Sequence, residues 1–260
     1  MATKISNSAA PWRSDFLSHA DEMDSPTFVL STIHRLETSS TVSEVIPRSR
    51  TVVFRGFWAS LPVNPKNTAE LNPNCYESDL PTITTDARME KVSEIIPGGS
   101  NVESRSGGGG PVEATFWAAK ARTQWRLRGK AYFLGPDIDS DATAPVREAI
   151  EPYMRITGST TSWEWSRELT AHFGNLSPIM RGSFRNPTPG TPLSEKPEPG
   201  LELGQIVDDL HDEVARKNFR VVVIVPEEVD RVDLSDPKRA RRWNYKMNDE
   251  GSWEVVELWP

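Results

Sequence analysis

The segment from Gln124 to Leu134 constrains this chain most: Gln124, Arg126, Arg128 and Lys130 alternate with Trp125, Leu127, Gly129 and Ala131. A period of two sends successive side chains to opposite faces of a strand, so one face is wet and the other buried. Comparable strands read from Phe28 to Ile33, from Arg50 to Trp58, from Pro81 to Thr85 and from Val112 to Lys120. Phe219 to Val225 is a continuous apolar run, the signature of a strand buried on both faces. Two closing strands flank Asn248-Asp249-Glu250-Gly251, a favourable hairpin turn. Many short strands with turns between them predict a mainly β, antiparallel barrel decorated by peripheral helices.

Helical periodicity is more limited. Pro11 opens a helix with Trp12, Phe16, Leu17 and Ala20 on one face, and Asp86 is placed to cap a helix from Ala87 to about Ile95. Residues 145–175 carry further helical patterns, including Trp163 to Phe173, and Ile206, Leu210 and Val214 mark another amphipathic segment. With 21 prolines, long irregular connections are expected. Residues 1–9 read as a loose tail ahead of a single domain over 10–260, with loop insertions near 61–80, 97–111 and 185–204. Ser106-Gly107-Gly108-Gly109-Gly110 reads as a loose connection, because no Gly-Lys-Ser/Thr or helix signal follows it to make a phosphate loop.

Several functions are disfavoured at once. A formal net charge of −7 argues against a general nucleic-acid or membrane-surface binder. No window approaches the about 18 apolar residues of a membrane span, and residues 1–10 lack the apolar stretch of a signal peptide, so a cytoplasmic location is expected. Cys75 is the only cysteine, which precludes an intramolecular disulfide and leaves it in a polar stretch with no sign of activation. His19, His34, His172 and His211 show no metal-ligand spacing, so no metal site is expected.

The cations are more informative because they sit on or beside strands. Arg50 and Arg55 bracket Thr51-Val52-Val53-Phe54; Arg88 and Lys91 follow Thr84-Thr85; Gln124 opens one strand and Arg242 another. Guanidinium forks, a lysine, threonine hydroxyls and helix N-terminal amides suit a phosphate, although the same residues also serve as ordinary solvated barrel positions.

Four blocks in register resemble the pyridoxamine 5'-phosphate oxidase family, in its divergent FMN-binding branch. They are Arg50 to Arg55, Thr84-Thr85-Asp86-Ala87-Arg88-Met89-Glu90-Lys91, Arg122 to Ala131, and the ending from Phe219-Arg220-Val221 through Arg241-Arg242-Trp243-Asn244-Tyr245 to Trp253–Pro260. The resemblance implies an FMN-binding, Greek-key split β-barrel, a homodimer with FMN at the interface, and flavin redox chemistry. It implies that Arg50, Thr51, Val52, Val53, Phe54, Arg55, Thr84, Thr85, Lys91, Gln124 and Arg242 contact FMN. Arg55 stands where the family has lysine and Glu90 where it has arginine, with Arg88 one helical face away as a compensating cation.

The family's substrate-binding Arg-x-His falls on Lys238-Arg239-Ala240, and its FMN-packing tryptophan near Val232. Arg181 and Ser183 are candidates for substrate-phosphate contacts. With cofactor positions mostly kept and substrate positions altered, the resemblance implies an FMN-dependent oxidoreductase acting on an unknown small molecule. The alternative is a flavin-binding or storage module without catalysis. A heme-utilisation split barrel is disfavoured, since no histidine occupies an axial position in the matched blocks. No side chain is assigned as a catalytic acid or base.

Overall fold

The computed structural model describes residues 8–36, 44–96 and 106–260. Its centre is an antiparallel sheet in the order β10 (Trp253–Leu258), β9 (Arg241–Met247), β8 (Phe219–Asp233), β6 (Thr123–Leu134), β5 (Gly107–Ala118), β1 (Thr27–Leu36) and β2 (Glu44–Val53), with β4 (Thr82–Asp86) joined to β8. The barrel closes where the chain leaving β2 meets β4: Arg55 N–H donates to Thr82 O and Thr82 N–H donates to Gly56 O, each at 2.9 Å. Strand β8 is the split. Its first residues pair with β4, from Phe219 opposite Asp86 to Val223 opposite Thr82, and its last, Glu228–Asp233, pair with β9. The expected mainly β split barrel is thus the fold observed.

The apolar run of β8 is explained by two cores. Val222 and Ile224 face the barrel interior with Leu30, Phe54, Phe116 and Trp125. Val221, Val223 and Val225 face a second core with Trp58, Trp165, Phe173 and Phe219. Each parity of the strand therefore removes apolar surface from water, and each fully buried valine contributes about 1.5–3 kcal/mol. Helix α1 (Arg13–Asp21) sends Phe16 into the barrel, edge-on to Phe116 at 4.9 Å and to Trp125 at 5.6 Å. The outer helices α3 (Ala144–Ile150), α4 (Trp165–Gly174) and α6 (Glu213–Asn218) supply buried residues to the second core, and α5 (Pro178–Gly182) follows α4.

Four sequence expectations are corrected. The strand expected from Arg50 to Trp58 ends at Val53, because the backbone turns at Gly56 (φ 99°) and Ala59 (φ 58°). The glycine run is not a loose connection: Gly107–Gly110 begins β5, with a bulge between Gly108 and Gly110. Residues 97–105 of the insertion expected near 97–111 lie outside the described residues. Helix α2 is only Glu90–Glu94, and Asp86 does not cap it; its carboxylate accepts instead from Arg88.

The segment around Ile206 and Leu210 is not helical; α6 begins at Glu213, where Asp212 caps it by accepting from Ala215 N at 2.8 Å. Cys75, in its polar stretch, is buried next to β3 (Tyr76–Ser78), which pairs with β7 (Met154–Ile156). Among the described residues, no helix is long and apolar enough to cross a membrane.

Candidate functional site

One end of the barrel gathers charge. Arg50 shares the parity of Val52 on β2, on the side that packs against the barrel core. Its guanidinium reaches across β1, donating to Thr32 Oγ1 and, at 2.6 Å, to Glu94 Oε2. Thr32 also donates to Glu94 Oε2 at 2.5 Å, and His34 Nδ1 lies 3.5 Å from the other carboxylate oxygen. Lys91, three residues before Glu94 on α2, donates from Nζ to Thr85 Oγ1 at 3.1 Å. Burial, and then the neighbouring Arg50, push the Lys91 ammonium below its ordinary value, against the pull of Asp86, Glu94 and Glu90. Two cations are therefore held close enough to repel each other beside a threonine hydroxyl.

Helix α2 has too few turns to hold this position alone. Val92 and Ile95 anchor it in the barrel core, and Gly110 N–H donates to Ile95 O at 2.8 Å. A Cβ at position 110 would stand 2.4 Å from Ile95 O, so the glycine is what admits the helix end. The sequence reading missed Glu94. Its place one turn after Lys91 was the available signal.

A second group lies on the outer face of the sheet. Gln124 on β6 and Arg242 on β9 both pair with Val232 on β8, so all three share one row. Arg242 Nε donates to Asp230 Oδ2 at 2.8 Å, and Arg126 donates to Asp230 Oδ1 at 3.0 Å. Asp230 is buried, so its charge requires both partners. A neighbouring row runs Thr51, Val29, Thr115, Arg126, Asp230, Asn244 across β2, β1, β5, β6, β8 and β9. With strands about 4.8 Å apart, β2 and β6 stand roughly 14 Å from each other along the sheet. The two groups do not meet within one chain.

The remaining expected residues scatter. Val52 and Phe54 pack against or within the barrel core, while Thr51 and Val53 take the opposite parity on β2. Arg55 is displaced from Arg50 toward the second core, where its charge acts on His172 and its Nε has no hydrogen-bond partner among the described residues. Thr84 and Thr85 point to opposite sides of β4, so only Thr85 meets Lys91.

Arg88 does not compensate for Glu90. Its Nε and terminal nitrogens grip Asp86 at 2.9 and 2.7 Å and Asn186 O at 3.1 Å, tying the end of β4 to the loop after α5. Arg181 is also corrected: it is buried and donates to Val207 O, Gly174 O and Leu176 O at 2.8, 3.3 and 3.1 Å. Ser183 donates to Met180 O. Both are committed to backbone carbonyls near α4 and α5.

Comparison with known proteins bears on the family and the fold. Residues 9–135 match the family model described as pyridoxamine 5'-phosphate oxidase, FMN-binding domain. The chain is 22% identical over 318 residues to the uncharacterized protein YGR017W of Saccharomyces cerevisiae, covering 98% of this chain and 100% of that one. The crystal structure of a pyridoxamine 5'-phosphate oxidase-related, FMN binding protein from Nostoc punctiforme superimposes with a TM-score of 0.59 at 20% identity. That superposition covers 97% of this chain and 100% of the other, and shows a shared fold. Residues 9–135, just under half of the chain, are thus similar to the pyridoxamine 5'-phosphate oxidase FMN-binding domain, and the fold is shared along its length.

Proposed function

We propose that the chain binds FMN, with Arg50, Lys91 and Thr85 holding its phosphate, and works as an FMN-dependent oxidoreductase with an altered substrate pocket. The observation that carries this reading is the like-charged pair at the barrel end, crowded beside a threonine hydroxyl. Glu94 offsets only one of the two charges, and a phosphate carrying nearly two negative charges would offset the rest. Bound flavin would supply two-electron redox chemistry, and the chain would orient it and set the charge around it. Gln124 and Arg242 on the outer face would serve a second copy's flavin in a homodimer, which accounts for their separation from Arg50. Exposed Val29, Trp117, Val256 and Leu258 on that face favour the same pairing.

The residues at the family's Arg-x-His position, Lys238-Arg239-Ala240, lie in a largely exposed bend before β9. With Arg181 occupied by carbonyls, the family's substrate contacts have no counterpart among these positions. The second reading, flavin binding without catalysis, is favoured by that observation alone.

The test begins with colour: the purified protein should be yellow and release FMN on heating. Arg50→Ala and Lys91→Ala should each weaken FMN about ten- to hundredfold, the loss of a charge-assisted hydrogen bond. Riboflavin, lacking phosphate, should be nearly indifferent to both, and Arg128→Ala on the exposed face should change neither ligand. Equal losses for FMN and riboflavin would mean that the barrel, not a phosphate site, was damaged. Bleaching by NADH or NADPH would support the oxidoreductase; a yellow protein bleached only by dithionite would favour the module.

A further inference from the structure

The cation pair is already matched with an acid of its own chain. The Glu94 side chain is 1% exposed, and its Oε2 takes a donor from both Arg50 and Thr32. Among the described residues its Oε1 accepts no hydrogen bond, and His34 Nδ1 lies 3.5 Å from it. Lys91 feels Arg50 and Glu94 together, in opposite directions. A buried carboxylate persists only with partners, and a crowded cation pair persists only with a counter-charge, so each explains the other. The formal sum over Arg50, Lys91 and Glu94 is one positive charge rather than two.

We propose that Glu94 is a built-in counter-ion: it holds Arg50 and Lys91 together when the phosphate site is empty, and it lowers the site's affinity for phosphate when a ligand binds. The inference rests on the phosphate-site reading given above. Glu94 is not itself a ligand contact; it lies beneath Arg50 and acts through the charge and orientation of that guanidinium. Removing only its charge should therefore tighten ligand binding, whereas a purely structural glutamate could only weaken it. The sign of the effect separates the two roles.

The experiment compares wild type with Glu94→Gln, which keeps size and a hydrogen-bond acceptor. FMN and riboflavin affinities are read by flavin fluorescence quenching, and inorganic phosphate by its displacement of FMN. The variant should bind FMN about tenfold more tightly and yield to inorganic phosphate at correspondingly lower concentration, with riboflavin unchanged. The ligand-free variant should melt below wild type and recover most of the difference in phosphate. Glu94→Met, also uncharged and of similar length, gives the same reading if the glutamine variant does not fold. FMN affinity equal to or weaker than wild type would overturn the counter-ion role. If wild type binds FMN and Arg50→Ala weakens it, that failure belongs to Glu94 alone. If wild type binds neither FMN nor phosphate, the phosphate site itself fails, and this inference with it.

Discussion

His172 should make this protein acid-sensitive in a calculable way. The imidazole is buried on α4, stacked on Trp58 at 5.5 Å and 15°, and among the described residues neither ring nitrogen has a hydrogen-bond partner. Burial, reinforced by the charge of Arg55, lowers its pKa from 6.5 to about 3. The folded protein thus holds His172 neutral while the unfolded chain protonates it near pH 6.5. Between those values the unfolded state binds more protons, so stability rises with pH and falls as the solution is acidified through 6.5 toward 3. At pH 5 this linkage removes about 2 kcal/mol relative to pH 8, a figure set almost wholly by the unfolded value. For a chain of this size that is a fall in Tm of about 4–8 °C.

Other groups titrate over the same range, so the assay is a difference. Thermal unfolding is followed at pH 5 and pH 8 for wild type and for His172→Phe, which keeps the aromatic stack. Glu168, 3.9 Å from His172, is shifted the opposite way, burial raising its pKa. Its stabilisation is lost as pH rises through that raised value, but it is present in both proteins and largely cancels. The phenylalanine variant should show a pH 8 to pH 5 drop smaller by the stated amount. The same drop in both would refute a neutral, buried His172.

Three further outcomes are expected. Gly110→Ala should push the end of α2 off β5, costing about 1–3 kcal/mol in denaturant unfolding and weakening FMN beyond riboflavin. Arg181→Ala should destabilise the fold by about 2–4 kcal/mol by orphaning three carbonyls, yet leave FMN affinity of the folded fraction unchanged; weaker FMN would return Arg181 to the site. Light scattering should give near twice the chain mass, and a monomer that binds FMN tightly would remove the shared-site reading.

What the sequence determined by itself was local and periodic. The alternation in β6 was legible because a strand buried on one face must repeat every two residues, and its buried and solvent-facing positions alternate as read. The apolar run of β8 announced burial on both faces, and Trp12, Phe16 and Ala20 announced the face of α1. The order of the charged blocks along the chain carries the family resemblance.

Tertiary structure decided the rest, because partners far apart in the chain set it. Arg50 and Glu94 are 44 residues apart, and nothing near either one announces that a buried acid will meet that guanidinium. Arg88 was read as a cation compensating for Glu90, and Asp86 as a helix cap; only the folded turn gives Asp86 to Arg88. The glycine run lacked any side-chain pattern, so its strand was invisible until β6 and the end of α2 supplied its pairing. Residue type and spacing encode which face is buried. The partner a charge finds there depends on the packing of elements whose distance in sequence carries no periodic signal.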